Sequence, residues 1–355
     1  MKKKIAGLVL LLAVMAVVGI LFLVQGQQRD TTEVTGYLGG EKIGLFEDPE
    51  VQDILMENYG LKAEYSRAGS LDMVTADLEG RDYLFPSSSI ALEYYEDVHG
   101  NPRQSDIIFN TPIVLYTHRP ILEAFAQQGL ITEEEGVYYV DMAGLVALIQ
   151  NDTQWSDIGV PQLYGSVSVD TTDPSRSNSG NMFAALLANV LNGGNVVTAE
   201  QVDAVLPGLQ QIFGRLGYME TSSSDLFAQF LRLGIGAKPI IAGYESQLIE
   251  YAAENPEGYQ QIRDDVVMLY PSPTVWSSHV MIALDEEGSQ LLEALLDPKI
   301  QQIAWEKHGF RTGNFDASQD AAALSVNGVT EAVTRVTQVP DYDVMKRIID
   351  TLGGI

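Results

Sequence analysis

An apolar, strand-like run that breaks into a small polar cluster and then becomes a helix occurs four times in this chain. The clearest case lies within residues 164–194. Val167-Ser168-Val169 alternates as a β-strand does, the polar turn 177–180 follows, and apolar residues then recur at helical spacing until Gly193-Gly194. This succession predicts an α/β fold with mostly parallel sheets, because crossover helices carry the chain back to the same edge of a sheet.

The polar turns are candidates for a ligand site. A helix N-terminus carries unsatisfied N–H donors and partial positive charge, so it can hold a small anion or a polar ligand edge. In α/β sheets, ligands bind at the carboxyl ends of the strands, where such turns lie. The candidate residues are Ser70, Ser88, Ser177, Ser179, Gly180 and Asn181. The alternative is that each serine is an ordinary helix cap without ligand contact.

Charged and aromatic residues beside these turns extend the predicted site. Arg67 and Arg176 flank two of the turns and can pair with a bound anion, although either can instead be a surface arginine paired with a nearby acid. Tyr244 and Glu245 follow a predicted strand and can hydrogen-bond a ligand. Glu245 can equally be a first-turn acid that complements the helix dipole.

The amino end predicts a membrane anchor. Lys2-Lys3-Lys4 precedes an uncharged apolar run of 20 residues, from Ile5 to Val24. Such a run just spans a bilayer, and the lysines should stay in the cytoplasm with the rest of the chain outside. A cleaved signal peptide is the alternative, but residues 21–27 offer no clear small-residue cleavage site. We therefore expect an anchor over 1–27 and a polar tether over 28–37.

Composition excludes several classes of function. The formal net charge of −27 argues against nucleic acid, whose phosphates require a basic surface. The absence of cysteine rules out disulfides, thiol chemistry and a lipid-modified cysteine. The four histidines lack metal-ligand spacing, so neither a metal nor another cofactor is predicted. No nucleophile elbow, S-x-x-K motif or P-loop is present, and the sequence therefore predicts no enzyme.

Five segments carry a resemblance to a known family. They are Ala68-Gly69-Ser70, Phe85-Pro86-Ser87-Ser88, Asp173-Pro174 with the turn 177–181, Gly243-Tyr244-Glu245-Ser246, and the helix over 301–309 with Phe310-Arg311. Over about 41–313, the chain resembles the type 2 periplasmic-binding-protein fold of extracellular solute-binding proteins, in the style of the phosphate, sulfate and molybdate binders. The resemblance implies two α/β lobes, joined by two crossing strands, with the ligand between them.

Mapped onto this sequence, the resemblance places lobe one at 38–112 plus 272–355 and lobe two at 113–271. The crossings fall near 112–116 and 270–274, and the first strand is expected at 41–46. The implied function is a membrane-tethered extracytoplasmic protein that closes over a small polar or anionic solute for a transporter or sensor. The alternatives are an envelope scaffold that uses the same fold without transport and, more distantly, an enzyme.

Overall fold

The computed structural model describes residues 31–313 and 320–353 of the chain. The strands in this part are β1 (Thr32–Leu38), β2 (Leu61–Arg67), β3 (Tyr83–Phe85), β4 (Gln104–His118), β5 (Ile131–Glu134), β6 (Val137–Asp141), β7 (Ile240–Tyr244), β8 (Val266–Ser272), β9 (Trp276–Ala283) and β10 (Arg311–Thr312). The helices are α1 (Ile43–Glu47), α2 (Pro49–Ile54), α3 (Asp72–Thr75), α4 (Ser89–His99), α5 (Arg119–Gln127), α6 (Met142–Gln150), α7 (Asn178–Leu191), α8 (Val202–Phe213), α9 (Ser223–Leu233), α10 (Glu245–Glu254), α11 (Pro256–Ile262), α12 (Glu286–Leu295), α13 (Pro298–His308) and α14 (Tyr342–Leu352).

Side-chain caps explain where many of these helices begin. At each of the following positions a side-chain oxygen accepts a hydrogen bond from a backbone N–H of the first helical turn: Asp48, Ser88, Asp141, Ser222, Asp285, Asp297 and Asp341. Such a cap satisfies a donor that the helix itself leaves unpaired. The starts of these capped helices are therefore determined locally, by single residues.

Two sheets share the long strand β4. Residues 104–112 of β4 pair with β9 in the first sheet, whose order is β2-β1-β3-β9-β4. Residues 113–118 pair with β7 and β8 in the second sheet, which continues through β6 to β5. The chain passes between the sheets a second time in the segment that joins β8 to β9. The result is a two-lobed α/β architecture with helices flanking both sheets.

Both sheets are mixed, whereas the sequence predicted mostly parallel ones. The pairs β1–β2, β1–β3 and β6–β8 are parallel. Helices α1 and α2 form the crossover between β1 and β2, and this pair is parallel as expected. The pairs that β4 makes with β7, β8 and β9 are antiparallel, as is the pair β3–β9. A strand–turn–helix pattern determines direction only for the strands that it connects directly. The directions of the strands that pass between the lobes depend on long-range pairing.

The amino end of the described chain also differs from the expectation. Residues 32–38, which lie largely in the predicted tether, form β1 between β2 and β3, with Val34 and Leu38 fully buried. The predicted strand at 41–46 is instead a 3₁₀ turn, Gly40–Lys42, followed by α1. The inward positions of β1 include Gly36, and its other positions are polar, so its hydrophobic alternation is weak.

The apolar core explains the burial of α7 and the position of the C-terminal helix. Residues Met182–Ala188 of α7 are all buried, as expected for a helix that is apolar on every side. Helix α14 adds Val344, Ile348 and Leu352 to the same cluster, next to α7 and α8. It thus packs against elements of the predicted lobe two, whereas the predicted lobe one includes 272–355. The lobe limits stay predictions.

The predicted anchor at 1–27 lies outside the described residues. Among residues 31–313 and 320–353, no helix is both long and apolar enough to cross a membrane.

Candidate functional site

A polar cavity of about 370 Å³ lies where the turns of the two lobes meet. Residues 39–41, 67–70 and 72, which follow strands of the first sheet, form one side. Residues 176–178, 221–223, 225 and 244, at the starts of α7 and α9 and the end of β7, form the other. This volume falls within the range of small-molecule pockets. The cavity is therefore the candidate site.

Five of the predicted site residues line this cavity: Arg67, Ser70, Arg176, Ser177 and Tyr244. Arg67 and Tyr244 are the last residues of β2 and β7, and Ser177 immediately precedes α7. Strand ends and helix starts thus meet at one place, as the strand–turn–helix pattern predicted. Their part in binding a ligand stays a prediction.

Ser88 and Ser179 make their contacts inside the protein. The Ser88 hydroxyl accepts a hydrogen bond from the N–H of Ile90 at 3.2 Å, which is the contact of a helix cap. Ser179 is fully buried, and its hydroxyl shares hydrogen bonds with Thr172 at 2.7 Å and Ser177 at 3.2 Å. Neither residue lines the cavity, so the alternative of a plain structural role describes their contacts better.

Gly180 and Asn181 do not line the main cavity. A Cβ atom at Gly180 would collide with the carbonyl of Thr172, so glycine allows α7 to pack closely against that segment. Asn181 is buried and lines a small recess whose lining includes Ser70 and Ser177, both of which also line the main cavity. The Oδ1 atom of Asn181 has no hydrogen-bond partner among the residues described.

Glu245 belongs to a buried ion pair rather than to the cavity wall. Arg311 donates to both of its carboxylate oxygens, Nε to Oε2 at 2.7 Å and Nη2 to Oε1 at 2.8 Å. The Tyr270 hydroxyl also donates to Glu245, and the carbonyls of Thr330 and Glu331 accept from Arg311. Arg311 lies on β10, which pairs with the first-sheet part of β4, whereas Glu245 begins α10 after β7. The ion pair therefore joins the two lobes.

Several lining residues were not among the predicted site residues: Gly39, Gly40, Glu41, Ala68, Gly69, Asp72, Asn178, Thr221, Ser222, Ser223 and Asp225. The serine-rich helix start at 222–224 was visible in the sequence, but no strand precedes it. The strand–turn–helix pattern therefore does not include it, whereas the pattern of a serine-capped helix start does.

Asn178 connects the two lobes next to the cavity. Its Nδ2 lies 2.8 Å from the carbonyl oxygen of Ser87, 3.0 Å from the Tyr244 hydroxyl and 3.0 Å from the Ser277 hydroxyl. Ser87 and Ser277 belong to the first lobe, and Tyr244 to the second. Burial raises the pKa of the Tyr244 phenol well above its usual value, and the charge of Glu41 adds to this, so the hydroxyl stays neutral. It can therefore donate a hydrogen bond to a ligand.

A second contact crosses the cavity at Arg67. Its Nη2 donates to the hydroxyl of Ser222 at 2.6 Å, from the first lobe to the start of α9. Where side chains are described, neither Arg67 nor Arg176 has a carboxylate within 4.0 Å, although both line the cavity. Their charges remain available to a ligand.

Glu41 joins the cavity to a buried polar cluster. The ammonium group of Lys42, whose side chain has 0% exposure, pairs with Glu41 and lies 2.8 Å from the Ser87 hydroxyl and 3.1 Å from Nδ1 of His279. Burial by itself would raise the pKa of Glu41, but the charge of Lys42 and hydrogen bonds from Lys42 and Ser87 lower it to about 2. Burial lowers the pKa of His279 well below its usual value, and the charge of Lys42 adds to this. Glu41 is thus ionised and already matched by Lys42.

Comparison with known proteins identifies the fold. No protein-family model and no curated protein matches this sequence. Among solved structures, the substrate-binding protein of an ABC transporter from Agrobacterium tumefaciens is similar with a TM-score of 0.59 and 14% identity, over 92% of this chain and 94% of that one.

Two further structures are similar over most of their length. The periplasmic binding protein AfuA from Actinobacillus pleuropneumoniae, with fructose-6-phosphate bound, has a TM-score of 0.55 and 13% identity, over 90% of this chain and 96% of that one. The sulfate-binding protein SubI from Mycobacterium tuberculosis H37Rv has a TM-score of 0.54 and 12% identity, over 89% and 96%. The chain has the fold of type 2 periplasmic solute-binding proteins, which confirms the predicted resemblance at the level of fold.

Proposed function

We propose that this protein is an extracytoplasmic solute-binding protein that closes two lobes over a small polar or charged solute and delivers it to a membrane transporter or a sensor. It catalyses no reaction. Residues 5–24 hold it at the membrane, with the carboxyl-terminal part outside the cytoplasm. The observation that carries the proposal is the polar cavity between the lobes, where Arg67 and Arg176 have no carboxylate of the described residues within ion-pair distance.

The names of the similar solved structures support this proposal. All three are named as binding proteins, and two of them are named with sulfate or fructose-6-phosphate. Binding between two lobes needs no chemistry, only a difference in solute affinity between open and closed states. The envelope-scaffold alternative would use the same fold with an empty cavity.

A thermal-shift screen on the full chain in detergent micelles separates these two functions. The probes are inorganic phosphate and sulfate, sugar phosphates, free sugars and amino acids. A solute present at about 100 times its dissociation constant should add about 2.7 kcal/mol to the free energy of unfolding. A saturable shift with one class of probe would support solute binding. Melting temperatures that stay constant across the whole panel would favour the scaffold.

Arg67→Ala is expected to weaken binding of the solute found in this screen by roughly ten- to hundredfold, because it removes a charged donor that lines the cavity. The melting temperature without solute should change little, since Arg67 makes no ion pair among the residues described. Titration calorimetry measures the affinity.

The matched control for this variant is Arg103→Ala. Arg103 lies beside Ala283, at the opposite end of the first sheet, where it pairs with exposed Glu286. This variant should bind the solute as the parent does. Equal affinities of the Arg67 and Arg103 variants would show that Arg67 does not contact the solute.

Retention of the anchor is the expected result for the amino end. Protein isolated from native membranes should begin at or near Met1, since residues 21–27 lack a clear small-residue cleavage site. N-terminal sequencing measures this directly. A mature chain that starts near Gln27 or Asp30 would show a cleaved signal peptide instead.

A further inference from the structure

Charges of both signs line the cavity without pairing with each other. Arg67 and Arg176 supply two cations, and Asp72 and Asp225 supply two carboxylates. In the described ranges, none of these four side chains takes part in an ion pair within 4.0 Å. Opposite charges that stay apart in one cavity are complementary to a solute that also carries both signs.

The cationic part of the cavity is reinforced by two helix starts. Ser177 and Asn178 stand at the N-terminus of α7, and Ser222 and Ser223 at that of α9. Each N-terminus contributes partial positive charge, which favours an anionic group. Together with Arg67, which contacts Ser222, these groups suit the anionic group of a solute.

A small recess opens from the cavity beside Asp72. This recess, of about 10 Å³, shares Ser70, Asp72, Arg176, Ser177 and Asn178 with the main cavity and also includes Asn181. It has room for about one water-sized group. The Asn181 side chain is 97% buried, since its exposure is 3%, and its Oδ1 has no hydrogen-bond donor among the described residues. An acceptor that lacks a donor among these residues, in a recess that Asp72 also lines, suits a donating group such as an ammonium.

Glu41 does not add an unpaired negative charge to the cavity. Its carboxylate lines the cavity, but it is paired with the buried Lys42 and accepts a hydrogen bond from Ser87. A simple divalent oxyanion would be attracted by the two arginines. The carboxylates of Asp72 and Asp225, which line the same cavity, would repel it. Like charges in one cavity disfavour such a ligand.

We infer that the solute is a small zwitterion of the amino-acid type, with its anionic group at Arg67 and the starts of α7 and α9, and its ammonium group at Asp72 and Asn181. This inference rests on the proposed function and names its substrate class. Asp72 is then the residue that distinguishes a zwitterion from a plain anion.

The test is titration calorimetry on the full chain in detergent micelles. The probes are the twenty standard amino acids, inorganic phosphate, sulfate and fructose 6-phosphate. For any amino acid that binds, the carboxylic acid without the amino group and the amine without the carboxylate are measured as well. We expect at least one amino acid to bind saturably and each of its two truncated analogues to bind at least tenfold more weakly.

Asp72→Asn provides the residue-level test. It should weaken binding of that amino acid by ten- to hundredfold while leaving the affinity for the acid without the amino group unchanged. Asp72 is exposed, so the variant should fold. Asp106→Asn, an exposed change near the far end of β4, is the matched control and should have no effect.

Each other outcome overturns a different statement. If phosphate, sulfate or fructose 6-phosphate binds and no amino acid does, the zwitterion inference is wrong while the solute-binding function stands. If an amino acid binds equally well to the parent and to Asp72→Asn, the assignment of the ammonium group to Asp72 is wrong. If no probe binds, both the inference and the proposed function lose their support.

Discussion

Arg311→Met is expected to lower the free energy of unfolding by about 3–5 kcal/mol, because it leaves the Glu245 carboxylate charged and unpaired in the interior. The side chains of Arg311 and Glu245 are only 5% and 0% exposed, and their two hydrogen bonds are 2.7 and 2.8 Å long. Urea unfolding, followed by circular dichroism, measures the loss.

The matched control for the Arg311 variant is Arg335→Met. Arg335 pairs with Glu134, but both side chains are substantially exposed, so this change should cost at most about 1 kcal/mol. The double variant Arg311→Met/Glu245→Gln should recover much of the lost stability, because no buried charge is then left unpaired. Equal losses for Arg311→Met and Arg335→Met would show that the buried pair has no special role.

Acidification is expected to remove about 3 kcal/mol of stability through Glu41 alone, with about 2 kcal/mol of it lost by pH 3. The pKa of Glu41 is lowered from 4.5 to about 2 in the folded protein. A carboxyl group with a lowered folded-state pKa stabilises the protein fully above its unfolded-state pKa. That contribution is lost as the pH falls through the folded-state pKa, so the window runs from about 5 to 2.

The double variant Glu41→Gln/Lys42→Met isolates this effect from all other carboxyl groups. It removes both charges of the buried pair, so the specific loss between pH 5 and pH 2 should disappear. The measurement is the free energy of unfolding in urea at several pH values for the parent and the double variant. If the two curves fall in parallel, Glu41 does not contribute the expected dependence on pH.

The net negative charge of the chain contrasts with the positive groups that line the cavity. With a net charge of −27, the protein as a whole repels anions. Within the described part of the chain, Arg67 and Arg176 nevertheless have no carboxylate partner at the cavity, where two helix N-termini also lie. A solute with an anionic group would be held by these local groups, and its ammonium group would be compatible with the surrounding acidity.

The limits of the sequence prediction are clearest at single residues of the site. Ser177 and Ser179 are two residues apart in the same polar turn, and the sequence treats them alike. In the structure Ser177 lines the cavity, whereas Ser179 is fully buried against Thr172. Which of two neighbouring hydroxyls faces a cavity depends on how the helix start is rotated against the rest of the lobe. That rotation is determined by packing.

The sequence by itself determined the local features of this protein. The strand–turn–helix units, the helix caps and the arrival of Arg67, Ser70, Ser177 and Tyr244 at one edge follow from hydrophobic periodicity and turn chemistry, which act within a few residues. Only the tertiary structure decided the antiparallel course of β4 and β9 and the pairing of Arg311 with Glu245, 66 positions away. Such pairings depend on the mutual packing of distant segments, and no local pattern in the sequence encodes them.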